Sequence, residues 1–394
     1  LFIEEHVQAI LPEMEARRDS CDAMIGVIAD GQIVKLTRMG GLDMAKPASG
    51  VAKFLRKLRG SSKPNGASGE SQMKMLRRLP KILRFVPGKA QDLRAWFLTM
   101  QYWLGGSDDN VEQMIRFLVS RYAQNRDWNA VEAKAPVDYP EVGLYHPDLP
   151  DRITTRVADL PAPKDPVATV GLLLMRSYVL ASDTAHYDAV IRRFEEKGVR
   201  VLPAFAGGLD GRPAISTYFK TVAGTHIDAM VSLTGFSLIG GPAYNDSAAA
   251  VDVLKDLDLP YVAAHALEFQ TLGQWAGSGQ GLGPVETTML VALPEIDGAT
   301  NPTVFGGRHG AEGCQGCTLG CGSVSETKAM APCLERIESL TDKTLRLATL
   351  RRKANAEKKV GIVLFGFPPN AGAVGTAAYL SVFESLHNTL HRMK

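Results

Sequence analysis

Short apolar runs alternate with amphipathic helical stretches between residues 167 and 264, and this alternation constrains the fold more than any other feature. The apolar runs occupy residues 167–175, 199–205, 229–233 and 261–264. Helical periodicity appears between them, at residues 186–197, 213–222 and 246–257. Strand–helix–strand units at this spacing predict a parallel sheet with right-handed crossovers. We therefore predict an α/β, multidomain chain with flavodoxin- or Rossmann-like parallel-sheet units and an inserted helical segment.

The carboxyl ends of the predicted strands are the expected place for a ligand. In open parallel sheets, ligands bind in the crevice beyond these ends. Here the ends carry Arg176-Ser177, the segment 206–210 and the segment 234–236. Glycine, hydroxyl and charged residues in these segments are compatible with a polar cleft.

The remaining sequence divides by composition into segments on either side of the predicted sheet. Residues 1–45 are expected to be the remainder of an amino-terminal α/β domain, with a buried strand over 22–28. A basic loop and helical region (46–135) and a proline-rich connector (136–166) precede the sheet domain, which is predicted over 167–300. A cysteine-rich loop and helix (301–358) follow it. Residues 359–394 are expected to begin a further α/β domain with a strand over 360–365. Because both ends fall inside such patterns, we expect a piece of a longer polypeptide.

Composition excludes several classes of protein. The formal net charge is +2, hydrophobic residues are 45% and charged residues 22%, as in ordinary globular domains. No apolar run is long enough for a membrane span, and a cytoplasmic location is expected. The near-neutral charge gives no reason to expect nucleic acid as a partner. A basic stretch from Lys53 to Lys89 is either a docking surface for an acidic partner or a solvated helix–loop–helix.

Four cysteines form the sharpest local motif. Cys314, Cys317, Cys321 and Cys333 have the spacing Cys-x2-Cys-x3-Cys-x11-Cys. The first two intervals are close to those of iron–sulfur sites, whereas zinc sites prefer paired Cys-x2-Cys knuckles. Three interpretations remain open: an iron–sulfur cluster, a structural zinc ion, and a loop of free or regulatory thiols. His309 lies just before the motif and is a further candidate ligand.

Nucleotide hydrolysis by the phosphate-loop route is not expected. The sequence contains no Gly-x4-Gly-Lys-[Ser/Thr] motif. The glycine-rich segment 277–283 lacks the dinucleotide-binding spacing and is predicted to be a loop.

Five segments of this sequence resemble a known family. They are "CDAMIGVIADGQIVKLTRMGG" (21–41), "WFLTMQYWLGGSDDNVEQMIRFLVSRYA" (96–123), "SLIGGPAYND" (237–246), "ALPEIDGATNPTVFGGRHG" (292–310) and "FGFPPNAGAVGTAAYLSVF" (365–383). In this order they resemble the H-subunit family of magnesium chelatases, in the form found in purple phototrophs. The segment at 292–298 is also similar, more distantly, to the large subunit of cobaltochelatase.

The resemblance implies a part of a porphyrin-binding subunit in (bacterio)chlorophyll biosynthesis. Members of this H-subunit family bind protoporphyrin IX and Mg2+ as substrates. ATP is hydrolysed by an AAA-type partner subunit, and a second partner carries an integrin-like domain. The family protein is several times longer, so this piece alone is not expected to be catalytically active.

Four residues are candidates for reaching the substrates. Glu295 and Asp297 are candidate metal-facing carboxylates, and His309 is a candidate proton acceptor. Arg308 is a candidate partner of a porphyrin propionate. Two alternative functions stay open: a cobaltochelatase-type large subunit acting on a corrin precursor, and a redox-sensing interaction module built around the cysteines.

Overall fold

The computed structural model describes residues 2–27, 31–46, 79–124, 130–222, 224–241, 244–310, 329–364 and 381–394. Three of the four clustered cysteines, Cys314, Cys317 and Cys321, lie outside the described residues, as does most of the basic stretch.

An eight-stranded, mostly parallel sheet forms the centre of the structure. Its strands are β4 (Val142–Tyr145), β5 (Ile153–Thr154), β6 (Thr169–Met175), β7 (Arg200–Ala206), β10 (Ala229–Ser232), β13 (Tyr261–Leu267), β14 (Thr300–Arg308) and β15 (Met330–Pro332). They lie in the order β15-β14-β13-β10-β6-β7-β4-β5. The five parallel strands thus follow the flavodoxin-like order 2-1-3-4-5. The predicted α/β parallel-sheet fold is confirmed.

Helices and short strands connect these elements. The helices of this region are α5 (Arg176–Leu180), α6 (Ala185–Glu196), α7 (Arg212–Ala214), α8 (Ser247–Leu257), α9 (Leu272–Gly277), α10 (Pro284–Glu286), α11 (Leu293–Asp297) and α12 (Leu334–Arg352). Two π-helical segments, Ile215–Phe219 and Thr287–Ala292, continue α7 and α10. The hairpins β8–β9 (Lys220–Thr221, Gly224–Thr225) and β11–β12 (Gly240–Gly241, Tyr244–Asn245) lie outside the main sheet.

Each face of the sheet packs against its own set of helices because both faces of the parallel strands are apolar. On one face, Leu172 and Val231 pack with Phe194 of α6 and Leu340 of α12. On the other face, the core includes residues of β7 and β10, the first π-helical segment and α8. Gly198 ends the turn after α6 with a positive φ of 73°, which places β7 beside β6.

The sheet extends beyond the boundaries predicted from composition. The predicted connector (136–166) contains β4, which pairs antiparallel with β7. The region predicted as a separate cysteine-rich loop and helix (301–358) begins within β14, which pairs parallel with β13. The high proline content of residues 136–166 led to the prediction of a connector and concealed β4. The strand β14 begins with polar residues, Thr300 and Asn301, which do not mark a buried strand.

The amino-terminal part is smaller and antiparallel. It contains α1 (Phe2–Arg17), α2 (Gly31–Lys35) and a sheet of β1 (Ala23–Met24), β2 (Arg38–Met39) and β3 (Leu42–Asp43). The buried strand predicted over 22–28 is therefore limited to two described residues. Two longer helices, α3 (Ala90–Gly105) and α4 (Asp108–Tyr122), follow, and Ser107 caps α4 by accepting a hydrogen bond from the amide of Asn110.

The strand predicted over 360–365 is wrong for its described part. Residues 360–364 are irregular, and Val363 is 94% exposed. No strand pairs with them within the described ranges, so an extended conformation would gain no ladder hydrogen bonds. The last helix, α13, spans Val382–Met393. Within the described ranges, no helix combines the length and the apolar character that a membrane crossing requires.

Candidate functional site

A small cleft lies where the order of the parallel strands reverses, beyond the carboxyl ends of β6, β7 and β10. The chain passes from β6 to β7 on one side and then crosses to β10 on the other, which opens a crevice between the loops. Its volume is about 30 Å³. The lining includes residues from two of the three predicted strand-end segments, 206–210 and 234–236, whereas from the end of β6 it includes Met175 and not the predicted Arg176-Ser177.

Backbone hydrogen bonds join two of the loops around this cleft. The amide of Gly211 donates to the carbonyl of Leu238 at 2.9 Å, and the amide of Gly240 donates to the carbonyl of Leu209 at 2.8 Å. A Cβ on Gly211 would lie 3.2 Å from the Leu238 carbonyl oxygen. The loops after β7 and β10 are thus held closely together, and a side chain at position 211 would fit only if the Leu238 backbone moved by a few tenths of an ångström.

The polar groups around the cleft are paired with one another. Asp210 forms an ion pair with Arg212 at 2.6 Å and accepts a hydrogen bond from the Arg212 backbone amide at 3.0 Å. The hydroxyls of Ser232 and Thr234 are 2.9 Å apart. A volume of about 30 Å³ admits a guest about the size of a water molecule, and it excludes a macrocycle.

Asp297 lies behind this cleft rather than facing it. Its carboxylate is fully buried and accepts hydrogen bonds from the Ser237 hydroxyl at 2.5 Å and the Leu238 amide at 2.8 Å. Glu295, two residues earlier on α11, is exposed. The structure therefore places the two candidate metal-facing carboxylates in different environments, and Asp297 serves to position the loop after β10.

A buried tyrosine lies close to Asp297. The hydroxyl of Tyr261 and the second carboxylate oxygen of Asp297 are buried, and neither has a hydrogen-bond partner within the part of the chain that the structure describes. Burial raises the pKa of Tyr261 far above its ordinary value, and the charge of Asp297 adds to this increase. The hydroxyl therefore stays protonated at neutral pH and is available as a donor.

Arg308 and His309 lie at the carboxyl end of β14, away from the cleft. Two strand spacings, on the order of 10 Å, separate β14 from β10. Arg308 pairs through its backbone with Met330 of β15, and its charge acts on the buried imidazole of His186. Both Arg308 and His309 are half-buried. The structure thus separates this pair from the switch point.

Arg176, at the end of β6, anchors the preceding connector. Its guanidinium donates to the carbonyl of Pro140 at 2.9 Å and to the carbonyl of Tyr139 at 3.2 Å. A few residues upstream, the Asn110 side chain of α4 donates to the Val137 carbonyl at 3.0 Å and accepts the Val137 amide at 2.9 Å. These contacts tie the helical pair and the sheet to one connecting segment.

Cys333 is the described member of the cysteine motif. It is buried at the start of α12 in a cluster with Leu267, Leu272 and Val304. An apolar environment of this kind is typical of a structural cysteine and raises the cost of a thiolate. Among the residues that the structure describes, no group of three or more His, Cys, Asp or Glu side chains is close enough to hold a metal ion.

Three buried histidines, His146, His186 and His265, were not recognised as core residues from the sequence. His186 is fully buried among Tyr178, Tyr187 and Phe305. Its spacing of four residues from Val190 on the apolar face of α6 was the available signal. His265 lies in the middle of β13, beyond the predicted end of that strand at residue 264.

Two family models match this chain. Residues 100–394 match the model described as CobN/Magnesium Chelatase, and residues 1–97 match a domain of unknown function, DUF3479. The chain belongs to the CobN/magnesium chelatase family. The boundary between the two matches falls within α3.

Individual relatives within the CobN/magnesium chelatase family agree with this membership. The chain is 71% identical to the magnesium-chelatase H subunit of Cereibacter sphaeroides, over 100% of this chain and 33% of the relative. It is 68% identical to the protein of the same name from Rhodobacter capsulatus, with the same coverage. The chain therefore spans about a third of the length of these relatives.

Cobaltochelatases are more distant members of the CobN/magnesium chelatase family. "Aerobic cobaltochelatase subunit CobN" of Pseudomonas aeruginosa is 28% identical over 75% of this chain and 22% of the relative. The solved catalytic subunit of cobaltochelatase from Mycobacterium tuberculosis aligns with a TM-score of 0.52 and 22% identity, over 76% of this chain and 23% of that chain. This structural likeness shows a shared fold.

Proposed function

We propose that this chain is the amino-terminal part of a porphyrin-binding subunit that inserts Mg2+ into protoporphyrin IX during (bacterio)chlorophyll biosynthesis. One observation carries the proposal: the 71% identity, over the whole chain, to a relative named as the H subunit of magnesium chelatase. The ordered motifs at 21–41, 96–123 and 292–310 lie within this match and extend over both family models.

The reaction explains why a large assembly is required. Mg2+ gives up its water ligands reluctantly, and two pyrrole protons must leave the macrocycle. The propionates of the porphyrin would be held by Arg or Lys, and a carboxylate or imidazole would accept a proton. As the resemblance to the H-subunit family of magnesium chelatases implies, we propose that ATP is hydrolysed by an AAA-type partner and that a subunit with an integrin-like domain bridges the two.

This chain acts in the proposal as a rigid scaffold rather than as the macrocycle pocket. The cleft at the switch point holds about 30 Å³, and its loops are joined by backbone hydrogen bonds. Asp297 holds one of those loops in place from inside. Arg308 and His309 keep their proposed roles toward a propionate and a proton, from the carboxyl end of β14.

A chimera tests this function directly. The third of the Cereibacter sphaeroides protein that matches this chain is replaced by residues 1–394, and protoporphyrin IX is titrated while its fluorescence quenching is followed. We expect saturable quenching at a concentration close to that of the unmodified relative. A folded chimera that does not quench the porphyrin contradicts the proposal.

The cobaltochelatase alternative is weaker on identity. The chain is 28% identical to the Pseudomonas aeruginosa cobaltochelatase subunit, against 71% for the magnesium enzyme of Cereibacter sphaeroides. Metal selectivity of the reconstituted chimera separates the two functions.

The cysteine motif is proposed as a loop of thiols rather than as a cluster that includes Cys333. Cys333 lies in an apolar cluster with Leu267 and Val304, an environment typical of a structural cysteine. Anaerobic purification followed by absorption spectroscopy and zinc analysis tests this. A brown protein that bleaches in air would restore the iron–sulfur interpretation, and stoichiometric zinc would restore the zinc interpretation.

A further inference from the structure

A second cleft lies at an open part of the sheet edge, away from the strand-end cleft. β15 pairs with β14 at Gly306, Gly307 and Arg308, so the amino-terminal half of β14 has no strand on that side within the described ranges. Pro302 lies in this half, and proline is tolerated at a strand edge because it has no amide to donate. The cleft here has a volume of about 250 Å³.

One wall of this edge cleft is cationic. Arg336, Ser339 and Lys343 line it, and their spacing of three and four residues places them on one face of α12. The guanidinium carbon of Arg336 lies 5.5 Å from the ring centroid of Trp275, which orients the cation. Lys343 has no ion-pair partner in the described part of the chain, and no acidic residue is among the cleft-lining side chains.

The opposite wall is apolar and ends at a buried imidazole. Leu282, Val291 and Val304 form this wall together with the Trp275 ring. His265 lines the cleft, is 2% exposed, and has no hydrogen-bond partner at either ring nitrogen in the residues described. Its pKa is lowered by burial to about 4, so the imidazole is neutral at pH 7 and can both donate and accept.

We propose that this edge cleft binds a small organic carboxylate with an apolar body. The carboxylate pairs with Arg336 and Lys343, and the apolar body contacts the Trp275 wall and extends toward His265. The volume lies below the range of about 300–1,000 Å³ that drug-sized ligands occupy, so the ligand is smaller than a tetrapyrrole. This site is independent of the proposed chelatase function.

A titration of the full chain with 1-naphthoate tests the proposal. Binding is followed by calorimetry and by tryptophan fluorescence, with the uncharged 1-naphthalenemethanol as the matched probe. We expect saturable naphthoate binding and affinity for the alcohol on the order of tenfold weaker, because the charged hydrogen bonds are absent. Binding of both probes with equal affinity, or no saturable binding, overturns the proposal.

Matched variants locate the site. Arg336→Gln and Lys343→Gln remove the two cations and are expected to weaken naphthoate binding several-fold each. Arg346→Gln removes an exposed cation of the same helix that does not line the cleft, and it should leave the affinity unchanged. Trp275→Phe should abolish the fluorescence change. If Arg346→Gln weakens binding as much as Lys343→Gln, the attraction is a general charge effect and the proposal fails.

Discussion

The buried carboxylate of Asp297 holds the loop after β10 in position. Replacing it with alanine leaves the Leu238 amide and the Ser237 hydroxyl without their acceptor in a buried environment. We expect Asp297→Ala to lower the free energy of unfolding by about 1–3 kcal/mol, measured by urea denaturation. The exposed Glu295→Ala serves as the control and should change it by less than about 0.5 kcal/mol. Equal effects of the two substitutions would contradict the positioning role.

His186 makes stability depend on pH. Burial, with a contribution from the charge of Arg308, lowers its pKa in the folded protein to about 3 from an ordinary value of 6.5. Because the unfolded state binds the proton more tightly, the stability due to the neutral imidazole is complete above pH 6.5 and is lost as the pH falls toward 3. The free energy of unfolding, measured with urea at a series of pH values, should therefore fall less steeply with decreasing pH below 6.5 for His186→Phe than for the unmodified chain.

A control histidine isolates this effect. His391→Phe changes an exposed side chain on α13, and its slope should match that of the unmodified chain. Identical slopes for all three proteins would show that His186 is not the group responsible.

At the scale of elements, a glycine within β6 lets the first π-helical segment pack onto the sheet. A Cβ on Gly171 would lie 2.8 Å from the ring of Phe219, which is fully buried. We expect Gly171→Ala to cost about 1–3 kcal/mol of unfolding free energy through overpacking. Gly277→Ala, where no atom lies within 4 Å of the added Cβ, is the control and should be close to neutral. A Gly171→Ala protein as stable as the control would argue against this close packing.

An ion-pair network joins α6 to α12. Glu338 pairs with Arg193 and with Lys197, the latter at 2.8 Å, and Lys197 also pairs with Asp342. Hydrogen bonds from Arg193 and Lys197 lower the pKa of Glu338 to about 2. The contribution of the Glu338 ion pairs to the free energy of unfolding is therefore present above pH 4.5 and is lost as the pH falls toward 2.

The network is partly exposed, so its energy should be modest. We expect Glu338→Gln to reduce the unfolding free energy by about 0.2–1 kcal/mol at low salt, and by less at high salt. Glu335→Gln, on the same helix and outside this network, is the comparison. A salt-independent loss larger than this range would indicate that Glu338 acts through packing instead.

At the scale of the whole molecule, the sheet was predictable because its parallel strands are apolar on both faces. The runs at 167–175 and 199–205 correspond to β6 and β7. Two of the three predicted strand-end segments, 206–210 and 234–236, line the cleft, and Arg176-Ser177 does not. The strands β4 and β14, which extend this sheet, were not predictable in the same way. β4 lies in a proline-rich segment, and the polar start of β14 gives no signal of burial, so both depend on pairing with strands distant in the sequence.

The environments of the candidate site residues also depend on contacts between segments that are distant in the sequence. Asp297 and Glu295 look equivalent in the sequence, yet the first is buried and the second exposed, because the Ser237–Leu238 loop that covers Asp297 lies almost sixty residues earlier. The edge cleft depends on where β15 stops pairing with β14, and no local pattern encodes that. His265 could have been found by extending the apolar run of β13 beyond residue 264.

We propose that this chain serves in a subunit that inserts magnesium into a porphyrin. The most direct measurement is metal insertion by the chimera of residues 1–394 with the remainder of the Cereibacter sphaeroides protein, assayed with that organism's partner subunits and ATP. We expect Mg2+-protoporphyrin to form at a rate close to that of the unmodified relative, and no cobalt to be inserted into a corrin precursor. A folded chimera that binds the partners but forms no Mg2+-protoporphyrin, or that inserts cobalt instead, would contradict it.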